Sequence, residues 1–177
     1  VLPFDRCTVG LFDRDKLELA AVSGEEEVPK TPEMTRLRQV LEWVAGQEEA
    51  VSSDKVDGSW ETSPEEAAER VVAYLEQTEF EGFYALPLRD EQGAVGVLAL
   101  ESGESEFLTE NHLEVLNILA GLATVAIRNA QLYQKMPLVS VLRPLLERKA
   151  KLEAMPRSAL VQKARRVGLG LLLGTVG

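Results

Sequence analysis

Cysteine and histidine occur once each in the 177 residues, as Cys7 and His112, and aromatic side chains make up only 6% of the chain. A single thiol cannot build an internal disulfide framework or a multi-cysteine metal site. Nor can it run a disulfide-forming redox cycle within one chain. One cysteine fits a reducing cytoplasm. A single histidine leaves no His-rich metal spacing, and neither a Gly-rich phosphate loop nor a recognisable Ser-His-Asp setting is visible, so an enzyme is the least supported class. No signal peptide opens the chain, which starts on Val1 in an extended segment and reads as a piece of a longer protein. No period of about 20–50 residues recurs, which excludes a solenoid.

What remains is an ordinary globular composition, 45% apolar and 27% charged, suited to one domain with an appended segment. Charge is distributed unevenly. Residues 1–134 carry 10 Lys/Arg against 27 Asp/Glu, whereas residues 135–177 carry 9 against 2. An acidic body of this kind repels phosphate backbones, so nucleic acid is not expected as a partner.

Along the chain, Cys7 to Phe12 and Lys16 to Val22 alternate as the two strands of a hairpin around Asp13-Arg14-Asp15. Residues 23–30 are acidic and loop-like. Thr31-Pro32-Glu33 supplies a cap, a proline at the first helical position and a carboxylate in the first turn. The helix is expected to run to about Gln47, with Leu37, Val40, Leu41 and Val44 on one face. A short strand is expected around Ala50-Val51, followed by a mobile loop over 54–63. Ser63-Pro64-Glu65-Glu66 repeats the cap signature ahead of a helix whose apolar face is Ala67, Val71, Tyr74 and Leu75. Phe83–Leu88 and Ala94–Glu101 are nearly continuous apolar strands, as in the centre of a sheet covered on both faces. They turn at Asp90-Glu91-Gln92-Gly93 and lead, through Phe107-Leu108 and a capping Thr109, into a long helix apolar over more than one stripe.

Three of these stretches, Ala85-Leu-Pro-Leu88, Gly93-Ala-Val-Gly-Val-Leu-Ala-Leu100 and Phe107-Leu-Thr109, lead into a helix ending Ala126-Ile-Arg-Asn-Ala-Gln-Leu-Tyr133. Together they resemble a GAF domain over residues 1–134, with the family's first helix upstream of the chain. The resemblance implies an α+β fold, an α/β/α sandwich around an antiparallel sheet of about six strands with a long C-terminal helix. It also implies a small-molecule pocket on one face and parallel dimerisation through the terminal helices. The cysteine motifs of bilin-attaching members and the Asn-Lys-Phe-Asp-Glu signature of cyclic-nucleotide-binding members are absent, so no cofactor or ligand is named. Gly10 and Gly96, inside strands, are positions of close backbone approach, and segments 23–31 and 48–63 are where a lid would lie.

Trp43, Trp60, Phe83, Tyr84 and Arg6 are the candidate ligand-binding residues, with Phe80 beside them. The plainer readings are core packing for Trp43, a loop anchor for Trp60, and surface ion pairing for Arg6, Arg36 and Arg38. Glu25-Glu26-Glu27 could meet a hard cation but reads more simply as a solvated loop. Cys7 reads as a small buried hydrophobe and His112 as a solvent-exposed helix residue. Leu116, Leu119, Ala123, Ile127 and Ala130 are the expected dimer face of the long helix.

Beyond the domain, 135–166 reads as a basic helical connector and 167–177 as eleven uncharged residues. At a rise of ~1.5 Å such a stretch reaches only about half of a ~30 Å hydrocarbon core. It is either the start of a membrane span or a short buried or disordered tail. Gly168, Gly170 and Gly174 favour the span, with Lys163, Arg165 and Arg166 on the cytoplasmic side. This order of segments resembles membrane-anchored efflux adaptor (membrane-fusion) proteins carrying a cytosolic sensory extension. The expected function is a non-catalytic sensor that binds a small molecule, dimerises and relays ligand state toward a membrane. The alternative is a dimerisation module with no ligand.

Overall fold

Alternation and turn chemistry decide the sheet. The computed structural model describes residues 2–135, and these form one antiparallel sheet with two helices on one face and one long helix on the other. By internal contacts the chain divides into a unit of Val1–Gln131 and a second of Leu132–Gly177, whose described part is the end of the last helix. Apart from Lys135, the expected connector and the apolar tail lie outside the described residues.

Strands β1 (Arg6–Asp13) and β2 (Lys16–Val22) form the first hairpin, its turn using Arg14 at φ 59°. Helix α1 (Pro32–Val44) begins as expected, the Thr31 hydroxyl accepting from the Met34 amide at 3.2 Å with proline in the first turn. It ends at Val44, short of Gln47. Strands β3 (Val51–Val56) and β4 (Ser59–Ser63) form a second hairpin where a mobile loop was expected. Asp57 and Gly58 turn it, at φ 50° and 82°, the paired left-handed conformation of a two-residue hairpin loop. No lid lies over 51–63; this stretch is paired strand.

Helix α2 (Ala68–Leu75) follows a 3-10 turn at Glu65–Ala67. Ser63 does not cap it, and no side chain makes a capping bond there. Its buried residues are nevertheless the expected Val71, Tyr74 and Leu75. Strands β5 (Gly82–Asp90) and β6 (Gly93–Ser102) pair along their whole length, and α3 (Glu110–Lys135) closes the domain. The six-stranded order is β2-β1-β6-β5-β3-β4, with every pairing antiparallel. The expected sheet and long terminal helix are both present.

Strand alternation sends successive side chains to opposite layers. On the α1/α2 side Phe83, Ala85, Val97 and Ala99 pack with Leu37, Leu41, Val44, Val71 and Leu75. On the α3 side Tyr84, Leu86, Leu88, Leu98 and Leu100 meet Leu116, Ala120 and Ile127. Gly10 and Gly96, on the neighbouring strands β1 and β6, set the spacing between them. A Cβ on Gly96 would lie 2.3 Å from the Gly10 carbonyl oxygen, a backbone atom with no freedom to yield. Gly96→Ala is therefore expected to destabilise the fold by about 1–3 kcal/mol through forced backbone shifts. Urea denaturation of the pair of proteins checks this; an unchanged midpoint would mean the strands have room there.

Candidate functional site

The expected ligand residues do not converge. Phe83 is fully buried beneath α1 and α2, whereas its neighbour Tyr84 faces the α3 layer, as adjacent strand residues must. Trp43 packs half-buried on the α1/α2 core with the Arg70 guanidinium 5.9 Å from its ring centre. Trp60 lies on edge strand β4, half-buried against the same core, with the Lys55 ammonium 5.9 Å from its ring centre. The space expected to be a pocket is occupied by side chains: Phe83, Leu37, Leu41, Val51 and Val71 are each 0% exposed.

Arg6 is the exception, and it organises a polar cluster at one end of this layer. Arg6 and Glu101 are cross-strand partners on β1 and β6, so both side chains point under α1. Glu101 is fully buried and accepts from Arg6 Nε at 2.7 Å, from Arg6 Nη2 at 2.9 Å and from the Tyr74 hydroxyl at 2.6 Å. Arg6 Nη1 donates to Glu33 Oε1 at 2.6 Å, tying α1 to the sheet. The guanidinium also lies 4.6 Å from the Phe80 ring centre. Burial works against charge on Arg6, but the hydrogen bond and charge of Glu101 and the hydrogen bond of Glu33 outweigh it and raise the pKa. Arg6, Glu33 and Phe80 border an open hollow of about 390 Å³ with Thr78 and Glu79.

Burial first, then the charge and hydrogen bond of Glu101, push the Tyr74 hydroxyl well above its ordinary value of 10.0. The folded protein therefore keeps this proton where the unfolded chain gives it up. A raised folded pKa means stability that is complete below the unfolded value and falls as pH rises through it. We expect unfolding free energy to decline steadily above about pH 10, and Tyr74→Phe to flatten that decline. Denaturant titrations at stepped alkaline pH measure it; identical slopes in the two proteins would contradict the assignment.

Three further placements revise the sequence reading. His112 is half-buried, and its Nδ1 accepts from the Thr109 amide at 3.2 Å while Thr109 Oγ1 accepts from the His112 amide at 3.4 Å. This is a reciprocal helix cap with histidine in the place usually taken by Glu or Gln. Cys7 is half-buried on the α3 side, its thiol pKa raised by burial and by the nearby Glu101 charge. Arg38 bonds Glu42 at 3.1 Å, while Arg36 Nε is buried with no partner among the described residues.

The terminal helix has two apolar faces. Leu116 is 1% exposed and Ile127 half-buried, both held by their own sheet, so these two expected dimer residues are already engaged. Ala123 is half-buried, and Leu119 and Ala130 are exposed. The free face instead carries Val115, Ile118, Leu119, Leu122 and Val125, from 47% to 65% exposed. Arg128 fixes the helix rotation by a forked pair to Asp90 at 2.7 and 2.8 Å and a bond to the Gly93 carbonyl. The Arg128 hydrogen bonds hold the Asp90 carboxyl below its usual pKa. By length and composition Glu110–Leu132 could cross a membrane, but that apolarity is divided between the sheet-packed face and the free one.

A six-stranded antiparallel sheet with a polar cluster under two short helices and a long helix on its far face defines the fold class, an α/β/α sandwich. The model of the GAF domain matches residues 1–129, so the chain belongs to the GAF domain family. Solved structures with the same fold include the GAF domain of a two-component sensor histidine kinase from Bacillus halodurans (19% identity, 76% of this chain and 88% of that one, TM-score 0.51). The GAF domain of an Acinetobacter phosphoenolpyruvate-protein phosphotransferase is similar (17% identity, 75% and 76% coverage, TM-score 0.53). So is the phycoerythrobilin-bound GAF domain of a cyanobacterial phytochrome (18% identity, 77% and 81% coverage, TM-score 0.54). No curated protein matches. The likeness to efflux adaptors rests on the order of segments alone, and these comparisons lend it no support.

Proposed function

We propose that this chain is a non-catalytic, small-molecule-responsive GAF domain that works as a parallel homodimer joined along the free face of α3. The observation that carries the reading is the row of large apolar side chains at Val115, Ile118, Leu122 and Val125, 47–65% exposed on a helix whose opposite face is already packed. Their spacing, three then four then three, is that of a coiled-coil seam. The next position in that series is Asn129, exposed and polar. In an antiparallel pair it would face apolar side chains, whereas in a parallel, in-register pair it meets its own copy and both amides can bond. Family membership and the bilin held by one relative support a small-molecule signal.

The same reading extends to the remainder of the chain. Residues 1–134 are the sensor, 135–166 a basic connector, and the uncharged 167–177 after Arg166 a membrane tether. Lys163, Arg165 and Arg166 would then hold the acidic body on the cytoplasmic side. Ligand state would reach the membrane as a change in the relative population of two dimer arrangements, which requires a ligand that binds them with different affinity. Sedimentation velocity of the protein over a wide concentration range tests the dimer. A single monomeric species at every concentration would end this reading.

A further inference from the structure

Three arginines of this acidic domain are matched to carboxylates, and a fourth, Arg89, donates to the Gln47 carbonyl at 2.7 Å. Arg6 pairs with Glu33 and Glu101, Arg38 with Glu42, and Arg128 with Asp90. Arg36 and Arg70 differ: among the described residues neither has an acidic partner or a hydrogen-bond acceptor, in a chain with 29 Asp/Glu against 19 Lys/Arg. Both border one hollow of about 230 Å³ in the outer crevice between α1 and α2. Arg36 and Gln39 line it from α1, Arg70 and Gln77 from α2, with Val40 and Ala73 beneath, and no carboxylate lies in the lining.

Helix periodicity explains the convergence, since 36, 39 and 40 share one face of α1, and 70, 73 and 77 one face of α2. Ala73 is small, which leaves the depression open. Arg36 Nε is buried without an acceptor, so part of the cost of removing a charged donor from water is not recovered within the protein. The Trp43 ring, 5.9 Å from the Arg70 guanidinium, limits where that head can go.

We infer that the crevice between α1 and α2 binds an oxyanion, the phosphate group of a small metabolite, held between the Arg36 and Arg70 guanidiniums with the Gln39 amide and the second N–H of Gln77, whose Nε2 also bonds the Ala73 carbonyl at 2.7 Å, as flanking donors. Guanidinium forks match the oxygen spacing of phosphate and can bond it twice each. The inference is independent of the dimer reading, because the crevice lies on the opposite side of the sheet from α3.

Calorimetric titration of the full 177-residue chain with inorganic phosphate, against chloride at matched ionic strength, tests it. Saturable binding is expected. Arg36→Gln and Arg70→Gln should each weaken it at least about tenfold, the size of effect that loss of a charge-assisted pair produces. Arg36→Lys should recover only part, because a point charge replaces a fork. Arg14→Gln, in the exposed β1–β2 turn, should leave it unchanged. Arg70 is exposed, so its variant decides the matter even if the Arg36 variants fold poorly. Absence of saturable phosphate binding, equal loss in the Arg14 variant, or saturable binding of succinate but not phosphate would each overturn the assignment.

Discussion

Arg6→Ala is expected to cost about 3–5 kcal/mol of folding stability, the loss typical of breaking a buried ion pair from one side. Glu101 would remain 0% exposed with the Tyr74 hydroxyl as its hydrogen-bond donor, while Glu33 would lose its tie from α1 to the sheet. Glu101→Ala should cost less, because Arg6 would keep Glu33 at 2.6 Å and its place beside Phe80. Replacing both partners by apolar residues, Arg6→Met with Glu101→Leu, should recover much of the loss, since the desolvation of two charges disappears along with their attraction. Urea denaturation of these three variants, and of Arg6→Ala combined with Glu101→Ala so that a double-mutant cycle closes on the same substitutions, supplies the test. If the Ala–Ala variant loses the sum of the two single losses, the residues act independently and the cluster is not a unit.

This cluster shows where reading the sequence succeeds and where it stops. Helix α1 was legible because its cap, proline and apolar face agree locally, and β5–β6 because two apolar runs flank a turn. The β3–β4 hairpin was missed although Asp57-Gly58 is a strong two-residue turn signal. Strand β4 is an edge with a largely polar sequence, Ser-Trp-Glu-Thr-Ser, so apolar periodicity carried no message there. The proposed aromatic pocket failed on parity: Phe83 and Tyr84 are consecutive in one strand and cannot serve the same face. Arg6 was named, but its partner Glu101 was not. Their pairing needs β1 beside β6, and that neighbourhood joins residues 95 positions apart, beyond the reach of any local pattern. His112 had a local signal, its spacing of three from Thr109, that is easily passed over because the usual third residue is acidic.

Leu122→Glu is expected to dissociate the dimer proposed above while leaving each domain folded, and Leu116→Glu to unfold the domain, although the two leucines lie on one helix. The reason is their direction. Residues 116 and 118 are about 200° apart around a helix, so the Leu116 side and the Ile118–Leu122 side face opposite ways. Leu116 is 1% exposed between Leu100 and Phe107, where a carboxylate would have no partner. Leu122 is 65% exposed within the domain, so a carboxylate there is solvated in the monomer but would lie against its copy in a pair. Asn129→Ile should act differently again. Removing the polar position from an apolar seam tightens association but relaxes the choice of register and helix number, because the amide that penalises misaligned pairs is gone. Sedimentation together with far-UV circular dichroism separates these outcomes: a folded monomer for Leu122→Glu, loss of helix for Leu116→Glu, and tighter, more heterogeneous assemblies for Asn129→Ile. A Leu122→Glu protein that still sediments as the dimer would move the contact off this face altogether. An Asn129→Ile protein that associates more weakly would mean that the seam is not heptad-packed, since only there does an unpaired amide oppose association.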